Sequence, residues 1–329
     1  DRRRTTTGRW SGWREFLVTK VTDESDDVRS LTLVAADEDA LCGYRPGQFV
    51  TVEIRPRNGS SITRTYSLSD YSDEPQDYRI TVKRLDGGSG STMIHDSLDT
   101  GSSVYLQAPV GNFVLDRTNI EPLVLIGAGI GITPIISMAK AHFLRGPSAP
   151  MMYLINCVRD SDAHVLVDEL EDLAAQSPRI ALYNIYSKPL SGDNARDTDE
   201  CSRRLTLERL TNILSDTFVD YCGTKIPVPW TVARFYLCGP ASFQDEVTRW
   251  LADAGVDASH INIESFDPRS GEPIGGVVTT AQVHFAQSDK TVEWEISSGL
   301  SLLELAELHG LNPASGCRFG ACSTCKCKL

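Results

Sequence analysis

Three closely spaced cysteines near residue 329 dictate how the end of this chain can fold. Cys317, Cys322 and Cys325 are separated by four residues and then by two. This is the spacing of the ligands of plant-type 2Fe–2S clusters. Such a cluster needs four thiolates, so we expect the fourth ligand beyond Leu329. The spacing therefore predicts an iron–sulfur loop within a domain that we expect to be incomplete here.

A zinc site is the alternative interpretation of the same cysteines. Cys327 supplies a fourth sulfur nearby, and Cys-x2-Cys pairs are common zinc ligands. The interior of the run favours iron and sulfide, because Gly320 lets the main chain approach the sulfurs closely. The small residues Ala321 and Ser323 leave amides free to hydrogen-bond to sulfide. With zinc, the chain would be a metal-binding interaction module on a nucleotide-binding scaffold.

Composition restricts the partners of this chain. Its 329 residues suffice for two or three domains, and 32 Lys+Arg against 44 Asp+Glu give a net charge of −12, which disfavours nucleic acid. No apolar run approaches the ~20 residues that span a bilayer, so we expect no membrane partner. Scattered cysteines are typical of reduced thiols in the cytosol or an organellar matrix, and these are Cys42, Cys157, Cys201 and Cys222. We expect a cytoplasmic protein. Because the chain begins at Asp1 and ends inside a motif, we expect it to be part of a longer protein.

From about Trp13 to Pro109 the hydrophobic pattern is that of short strands. Every second residue of Phe49–Ile54 is aliphatic, as in a strand with one buried face. Similar runs occur at Arg29–Val34, Arg64–Ser69, Tyr78–Arg84 and Val104–Ala108. Turn signals such as Arg45-Pro46-Gly47 separate them. We predict a small antiparallel barrel over residues 13–118, preceded by a linker over residues 1–12.

After Asn119 the pattern changes to that of a parallel sheet. Leu123–Ile126 is continuously apolar, as in a strand buried on both faces, and a glycine-rich turn and a helix through Leu144 follow it. We expect Thr133 to cap this helix and Pro134 to lie in its first turn. Further strands and helices alternate over Met151–Asn156, Val165–Ala175, Arg179–Tyr186, Leu207–Leu214, Phe235–Cys238, Ala241–Ala254 and His260–Ile263. A doubly wound α/β sheet is predicted over residues 119–268.

The last segment predicts a third, smaller domain. Residues 269–276 are a plausible linker, and Val277–Phe285 and Thr291–Ile296 have the pattern of a hairpin. Ser301–His309 has the pattern of a helix, with Ser301 and Glu304 as a capping box. Hairpin, helix and cysteine loop, in this order over residues 277–329, predict a β-grasp ferredoxin domain.

Two turns of the predicted parallel sheet are candidates for ligand binding. The glycines of Gly127-Ala128-Gly129-Ile130-Gly131 can admit a pyrophosphate to the helix N-terminus, although they do not match G-x-G-x-x-G. Close strand–helix packing is the alternative reason for them. Cys238-Gly239-Pro240 follows another strand, so both turns are expected at the carboxyl edge of one sheet, where such sheets bind ligands.

A third candidate lies on the barrel, in Arg64-Thr65-Tyr66-Ser67. Arg64 and Tyr66 project to the same side of a strand. A cation beside an aromatic ring suits a ligand that has both a phosphate and a planar ring, and the Ser67 hydroxyl can meet a ring nitrogen. An ordinary solvent-facing Arg–Tyr pair is the alternative.

In this order, the three motifs and the cysteine run resemble the ferredoxin–NADP+ reductase superfamily. The chain is similar to members that carry a C-terminal ferredoxin domain, of the phthalate dioxygenase reductase type. Its barrel, including Tyr44–Phe49 and Val110–Phe113, looks closest to the reductase part of flavohaemoglobins. The resemblance implies a flavin-binding β-barrel, an NAD(P)-binding α/β domain and a truncated ferredoxin domain. It also implies electron transfer from NAD(P)H through flavin and a 2Fe–2S cluster to an acceptor protein or a fused N-terminal domain.

The resemblance implies specific residues at the flavin. Those expected at its phosphate are Arg64, Gly90, Ser91 and Thr92. Those expected around its ring are Phe49, Thr65, Tyr66, Ser67, Thr81, Val82 and Lys83, with Phe266 over the other face. Ser67 is implied to be catalytic, with its hydroxyl near flavin N5. FAD is favoured over FMN, although the glycine-rich loop 87–92 leaves FMN open.

The resemblance also implies residues at the nicotinamide nucleotide. They are Gly127, Gly129, Gly131, Thr133, Cys238, Gly239 and Pro240. Cys238 is implied to be catalytic, beside the nicotinamide ring; a small buried core cysteine is the alternative. The choice of NADH or NADPH stays open, because Arg159 can meet a 2′-phosphate or simply be a solvated loop residue.

The remaining polar residues are expected to be structural. His95, His142, His164 and His260 are interpreted as mostly surface or capping residues. The acidic stretch Asp168–Asp172 is interpreted as the solvated face of a helix.

Overall fold

The computed structural model describes residues 10–55, 61–190, 193, 204–221, 223–266, 280–295, 300–311 and 313. The chain divides into two compact units, Asp1–Phe266 and Asp267–Leu329. The first unit contains an antiparallel sheet and a parallel sheet, and the second contains a hairpin and a helix.

The antiparallel sheet has six strands that close into a barrel. They are β1 Arg14–Ser25, β2 Val28–Ala35, β3 Phe49–Ile54, β4 Ile62–Ser67, β5 Tyr78–Lys83 and β6 Ser103–Leu106, in the order β4-β3-β6-β1-β2-β5. A bridge between Leu68 and Ile80 joins the two outer strands. Helix α1, Ser89–Ser97, follows β5. The predicted barrel is confirmed.

Apolar side chains from alternate strand positions fill the barrel. Phe16 and Tyr78 are fully buried there, with ring centroids 5.8 Å apart. Tyr78, Ile80 and Val82 point into this core from β5, so Arg79, Thr81 and Lys83 lie on its outer face. The outer face of β5 is therefore available to meet a second layer.

The predicted doubly wound sheet is also confirmed. Its helices are α2 Ile132–Phe143, α3 Val167–Gln176, α4 Leu207–Ile213 and α5 Ala241–Asp253. Its parallel strands are β7 Leu123–Ala128, β8 Met152–Val158, β9 Ile180–Tyr186, β12 Arg234–Cys238 and β13 Ile261–Glu264, in the order β13-β12-β7-β8-β9. Between β9 and β12, an antiparallel hairpin forms from β10 Phe218–Tyr221 and β11 Thr224–Pro227.

The barrel and the parallel sheet share one apolar core. Leu123 and Leu125 of β7 pack with α2 on one face of the sheet, and Val28, Phe113 and Leu115 from the barrel side belong to the same cluster. Burial of this apolar surface holds the two layers together, since each buried aliphatic side chain contributes about 1.5–3 kcal/mol.

The prediction that Thr133 caps α2 is wrong. The helix begins at Ile132, and Gly131 occupies the N-cap position without a side-chain cap. The Thr133 hydroxyl instead donates to the Ile130 carbonyl at 3.0 Å. The reason is a short 3-10 turn, Gly129–Gly131, which leads directly into the helix and starts it earlier. Pro134 lies in the first turn, as predicted.

The second unit contains the predicted hairpin and helix. Strands β14 Thr280–Phe285 and β15 Lys290–Glu295 pair antiparallel, and α6 Leu302–Leu308 follows. Ser301 and Glu304 form the predicted capping box. The linker 269–276 and the cysteine ligands Cys317, Cys322 and Cys325 lie outside the described residues, as does Cys327.

Candidate functional site

A cradle for an anion lies where β4 passes the N-terminus of α1. Arg64 Nη2 donates to Ser89 Oγ at 3.0 Å, which places the guanidinium at the start of the helix. A Cβ at Gly90 would lie 2.6 Å from Arg64 Cγ, so the absence of a side chain makes room for the arginine. The helix has no side-chain cap and no acidic residue in its first turn. Its first N–H groups and the guanidinium together suit a phosphate.

The next residues of β4 lie beside this cradle. Tyr66 is half-buried against the barrel, and burial raises its pKa to about 12, so the phenol stays neutral at physiological pH. Ser67 is buried and pairs with Phe49 of β3, while Thr65 pairs with Thr51. Phe49 packs closely over Gly111 and is 5% exposed.

The side chains of the other residues predicted at the flavin point to different sides of the barrel wall. Thr81 lies on the outer face of the barrel, and its hydroxyl lies 2.8 Å from Ser30 Oγ and 2.7 Å from Ser69 Oγ. Lys83 pairs with Asp27 at 3.2 Å. Val82 points into the barrel core, so only its main chain can line a ligand on the outer face.

One predicted phosphate ligand, Ser91, makes hydrogen bonds to the main chain just before α1. Ser91 Oγ donates to the Gly88 carbonyl at 3.2 Å and accepts from the Leu85 amide at 3.1 Å. Thr92 is half-buried on the same helix. Gly90 and Arg64 are therefore the strongest candidates at the phosphate.

The two predicted turns of the parallel sheet touch each other. Cys238 pairs with Gly127 across β12 and β7, so both strands end at one level. A Cβ at Gly131 would lie 2.2 Å from the Cys238 carbonyl oxygen, and one at Gly239 would lie 2.7 Å from Ala128 Cβ. Pro240 occupies the N-cap position of α5. Gly131 is required because it packs against the main chain of the other turn, and Gly239 leaves room for the Ala128 side chain.

The start of α2 is a second candidate anion site. Its N-terminus lacks a side-chain cap and acidic residues, and Gly129 adopts φ +55° in the turn before it. The turn Gly129–Gly131 contacts β5 of the barrel. The second candidate site therefore lies beside β5 of the barrel.

Cys238 and Phe266 lie in the core that α2 shares with the barrel. Cys238 is fully buried, and burial raises the pKa of its thiol well above the usual value. Burial therefore favours the protonated thiol. Phe266, two residues past β13, packs on the core that α2 shares with the barrel.

Sequence reasoning missed an ion cluster that connects the two layers. Arg79 on the outer face of β5 pairs with Glu169 of α3. Lys140 of α2 contacts Glu169 at 2.5 Å and Asp70, just after β4, at 2.6 Å. The interpretation of Asp168–Asp172 as a solvated face is thus wrong at Glu169. No local pattern identifies this pairing, because the partners lie on distant segments.

Two histidines expected at the surface or in caps are buried. His142 is 0% exposed and its Nε2 donates to the Pro150 carbonyl at 2.8 Å. His164 lies 2.7 Å from Asn156 Nδ2 and 3.0 Å from the Tyr186 hydroxyl. Burial lowers the pKa of each to about 4. The earlier interpretation is wrong for both, because each ring finds neutral partners inside the fold.

These two histidines predict a loss of stability in mild acid. Between the ordinary pKa of 6.5 and about 4, the unfolded chain binds protons that the folded chain excludes. The free energy of unfolding should therefore fall by up to about 1.4 kcal/mol per pH unit for each histidine. Denaturant unfolding between pH 7.5 and about 5 measures this slope. His142→Gln should reduce the slope below pH 6.5 and leave it unchanged above pH 7; equal slopes in both proteins would contradict the assignment.

Arg159 leaves the nucleotide choice open. Its side chain is 65% exposed and pairs with Asp160, whose carboxylate accepts from the Ala163 amide.

None of the helices within the described residues has the length and apolar character needed to cross a membrane. The same residues contain no group of three or more His, Cys, Asp or Glu side chains arranged to hold a metal ion.

Comparison with known families matches three domains in order. An oxidoreductase FAD-binding domain matches residues 15–115, an oxidoreductase NAD-binding domain matches 125–249, and a 2Fe-2S iron-sulfur cluster binding domain matches 285–329. A flavohemoprotein from Rhodopirellula baltica is 36% identical over 271 residues. That match covers 80% of this chain and 62% of the flavohemoprotein, so the chain spans less than two thirds of this relative.

Solved structures show the same fold. The FAD/NAD binding domain of nitric oxide dioxygenase from Vibrio cholerae is 29% identical with a TM-score of 0.61, covering 77% of this chain and 98% of that domain. Phthalate dioxygenase reductase is 23% identical with a TM-score of 0.64, covering 94% of this chain and 85% of that enzyme. At this identity the second match supports the fold alone.

Fold, site and domain matches define an oxidoreductase that uses FAD, a nicotinamide dinucleotide and a 2Fe–2S cluster. The N-termini of α1 and α2 are the candidate sites for the phosphates of the first two cofactors, because both lack a side-chain cap and an acidic residue in the first turn. The chain has an FAD-binding, an NAD-binding and a 2Fe–2S domain in the order found in ferredoxin–NADP+ reductase-like proteins that carry a 2Fe–2S domain.

Proposed function

We propose that this chain carries electrons from NADH or NADPH through FAD to a 2Fe–2S cluster, and from there to an acceptor protein or a fused N-terminal domain. The observation that supports this most strongly is the contact between the turn Gly129–Gly131 and β5. It brings a dinucleotide-type helix N-terminus against the barrel that carries the flavin motif. The proposed domains are residues 13–118, 119–268 and 277–329.

The barrel residues hold and orient the flavin in this proposal. Arg64 and the α1 N-terminus would neutralise its phosphate, and Tyr66 would present a neutral aromatic face to its ring. Ser67 Oγ would be a hydrogen-bond donor to a ring nitrogen. When bound, FAD takes up a hydride and releases electrons singly, which is chemistry that side chains do not supply.

The sheet residues position the nicotinamide nucleotide. The N-terminus of α2 would take the pyrophosphate, and Gly131 lets the Cys238 turn approach this helix start closely. Cys238 would border the nicotinamide with a neutral, buried thiol, so it would act through shape and not through charge. Phe266 would cover the other face of the flavin. The work of these residues is positioning and exclusion of water.

The acceptor is proposed from the relatives. Flavohemoproteins match 80% of this chain, and the chain accounts for 62% of such a protein. A haem-containing domain or partner is therefore one proposed acceptor, and an oxygenase served by an iron–sulfur reductase is another. Neither the membrane nor nucleic acid has a place in this proposal, which locates the protein in the cytoplasm.

Anaerobic mixing of FAD-loaded chain with NADH or NADPH tests the reductase activity. At least one nucleotide should bleach the flavin absorbance, and the better one identifies the physiological donor. A flavin that neither nucleotide reduces would refute the proposed function.

Replacing Arg64 with alanine should weaken FAD binding about 10- to 100-fold. A hydrogen bond to a charged group contributes about 1.5–3 kcal/mol, and the guanidinium lies at the α1 N-terminus. Quenching of FAD fluorescence measures the dissociation constant. Arg84→Ala is the matched control, because Arg84 pairs with Asp96 near the other end of α1. Unchanged FAD affinity in Arg64→Ala would remove Arg64 from the site.

A further inference from the structure

Gln244 occupies a position on α5 where an apolar residue is expected. The buried residues of this helix are Gln244, Val247 and Leu251, which recur along one face, and Gln244 is 0% exposed. Burying an amide costs free energy unless it is hydrogen-bonded, whereas leucine or methionine would pack at no such cost. The reason for glutamine at this position must therefore lie in its hydrogen bonds.

Its side-chain amide joins the ends of two strands. Nε2 donates to the Gly239 carbonyl at 2.9 Å and to the Glu264 carbonyl at 2.5 Å. An amide NH2 group has two hydrogens, so both are used. Gly239 directly follows β12 and Glu264 is the last residue of β13. The Gln244 side chain thus links the main chain after β12 to the main chain at the end of β13.

These two hydrogen bonds lie where the pairing between β12 and β13 ends. Strands β12 and β13 pair in parallel up to Cys238 and Glu264. The ladder cannot continue on the β12 side because Pro240 has no N–H. Beyond this point the segment after β12 turns into α5, and the segment after β13 continues to Ser265 and Phe266. The Gln244 amide replaces the missing ladder bonds.

We propose that Gln244 is a positioning residue that fixes the spacing between the Cys238 turn and Phe266. The Cys238 carbonyl lies against Gly131, so its turn is already fitted to the start of α2. Phe266 is connected to that turn through Glu264 and Gln244. This inference rests on the proposed function, in which the Cys238 turn receives nicotinamide and Phe266 covers the flavin.

Hydrogen–deuterium exchange of the full FAD-loaded chain tests the tether without any reaction. Gln244→Met keeps a similar volume and removes both donors. Exchange in residues 261–266 should rise about fivefold or more, as expected from losing about 1 kcal/mol of local stability. Gln176→Met is the matched control, because Gln176 lies exposed at the end of α3.

Stopped-flow flavin reduction tests the consequence for the reaction. The limiting rate at saturating NADH or NADPH should fall about 10- to 100-fold in Gln244→Met, as for a misplacement of about 1 Å. FAD affinity should stay within about twofold, since Gln244 does not touch the flavin cradle. Gln244→Asn keeps the amide on a shorter stem and should have an intermediate rate. Gln244→Asn also tests the positioning role if Gln244→Met does not fold.

The outcomes separate this inference from the proposed function. Wild-type exchange in both Gln244 variants overturns the tether, and faster exchange with a wild-type limiting rate overturns the positioning role. If the wild-type chain is reduced by neither nucleotide, the proposed function fails, and exchange alone then decides the tether.

Discussion

Replacing Gly131 with alanine should lower the rate of flavin reduction by NADH or NADPH by about 100-fold or more. The added Cβ would lie 2.2 Å from the Cys238 carbonyl oxygen and 2.8 Å from the Gly239 nitrogen, both of which are main-chain atoms. The two turns must therefore separate, at a cost of about 1–3 kcal/mol in stability. A shift of about 1 Å between donor and acceptor suffices for such a loss of rate. Stopped-flow absorbance measures the rate.

A second glycine provides the control for Gly131→Ala. Gly255 follows α5 with φ +85°, and a Cβ there meets nothing within 4 Å. Gly255→Ala should cost about 1–2 kcal/mol in backbone strain and leave the limiting rate of flavin reduction unchanged. If both variants lose the reaction equally, general destabilisation explains the effect and the close approach of the two turns does not.

The fold was predictable because its strands have strong local patterns. The alternation in Phe49–Ile54 and the apolar run Leu123–Ile126 each identify one type of sheet, and the structure places both as predicted. Strand β1, Arg14–Ser25, was not individually predicted because its pairing with β2 is interrupted by two register shifts. The hairpin Phe218–Pro227 was missed because every residue of β11 is exposed, so its sequence has no buried face.

The candidate site was predictable where a turn needs particular residues. Gly131 is recognisable in the sequence, because the close approach of the Cys238 main chain leaves no space for a side chain there. Contacts between distant segments carry no such signal. Glu169 meets Arg79 across 90 positions, and Gln244 meets Glu264 across 20. Such pairs depend on how the layers dock, which local periodicity does not encode.

Cys322→Ser should abolish the iron–sulfur centre while leaving flavin reduction by the nucleotide within about twofold of the wild-type rate. A serine oxygen is a poor substitute for a thiolate ligand of a 2Fe–2S cluster. Bound iron, acid-labile sulfide and the cluster's share of the visible absorbance should all be lost, while the flavin absorbance stays. The matched control is Cys157→Ser, because Cys157 is a free cysteine of the parallel sheet. It should keep the centre intact.

Cys327→Ser separates the two interpretations of the cysteine run. A plant-type cluster uses Cys317, Cys322 and Cys325 with a more distant fourth ligand, so removing Cys327 should not change the iron content. A zinc site built from the four neighbouring sulfurs needs Cys327, so zinc should be lost with it. Metal analysis of both variants decides between them: iron that survives Cys327→Ser and disappears in Cys322→Ser supports electron transfer through the cluster. Zinc that depends equally on both cysteines would remove the cluster from the electron path, and the flavin would then be the last carrier before the acceptor.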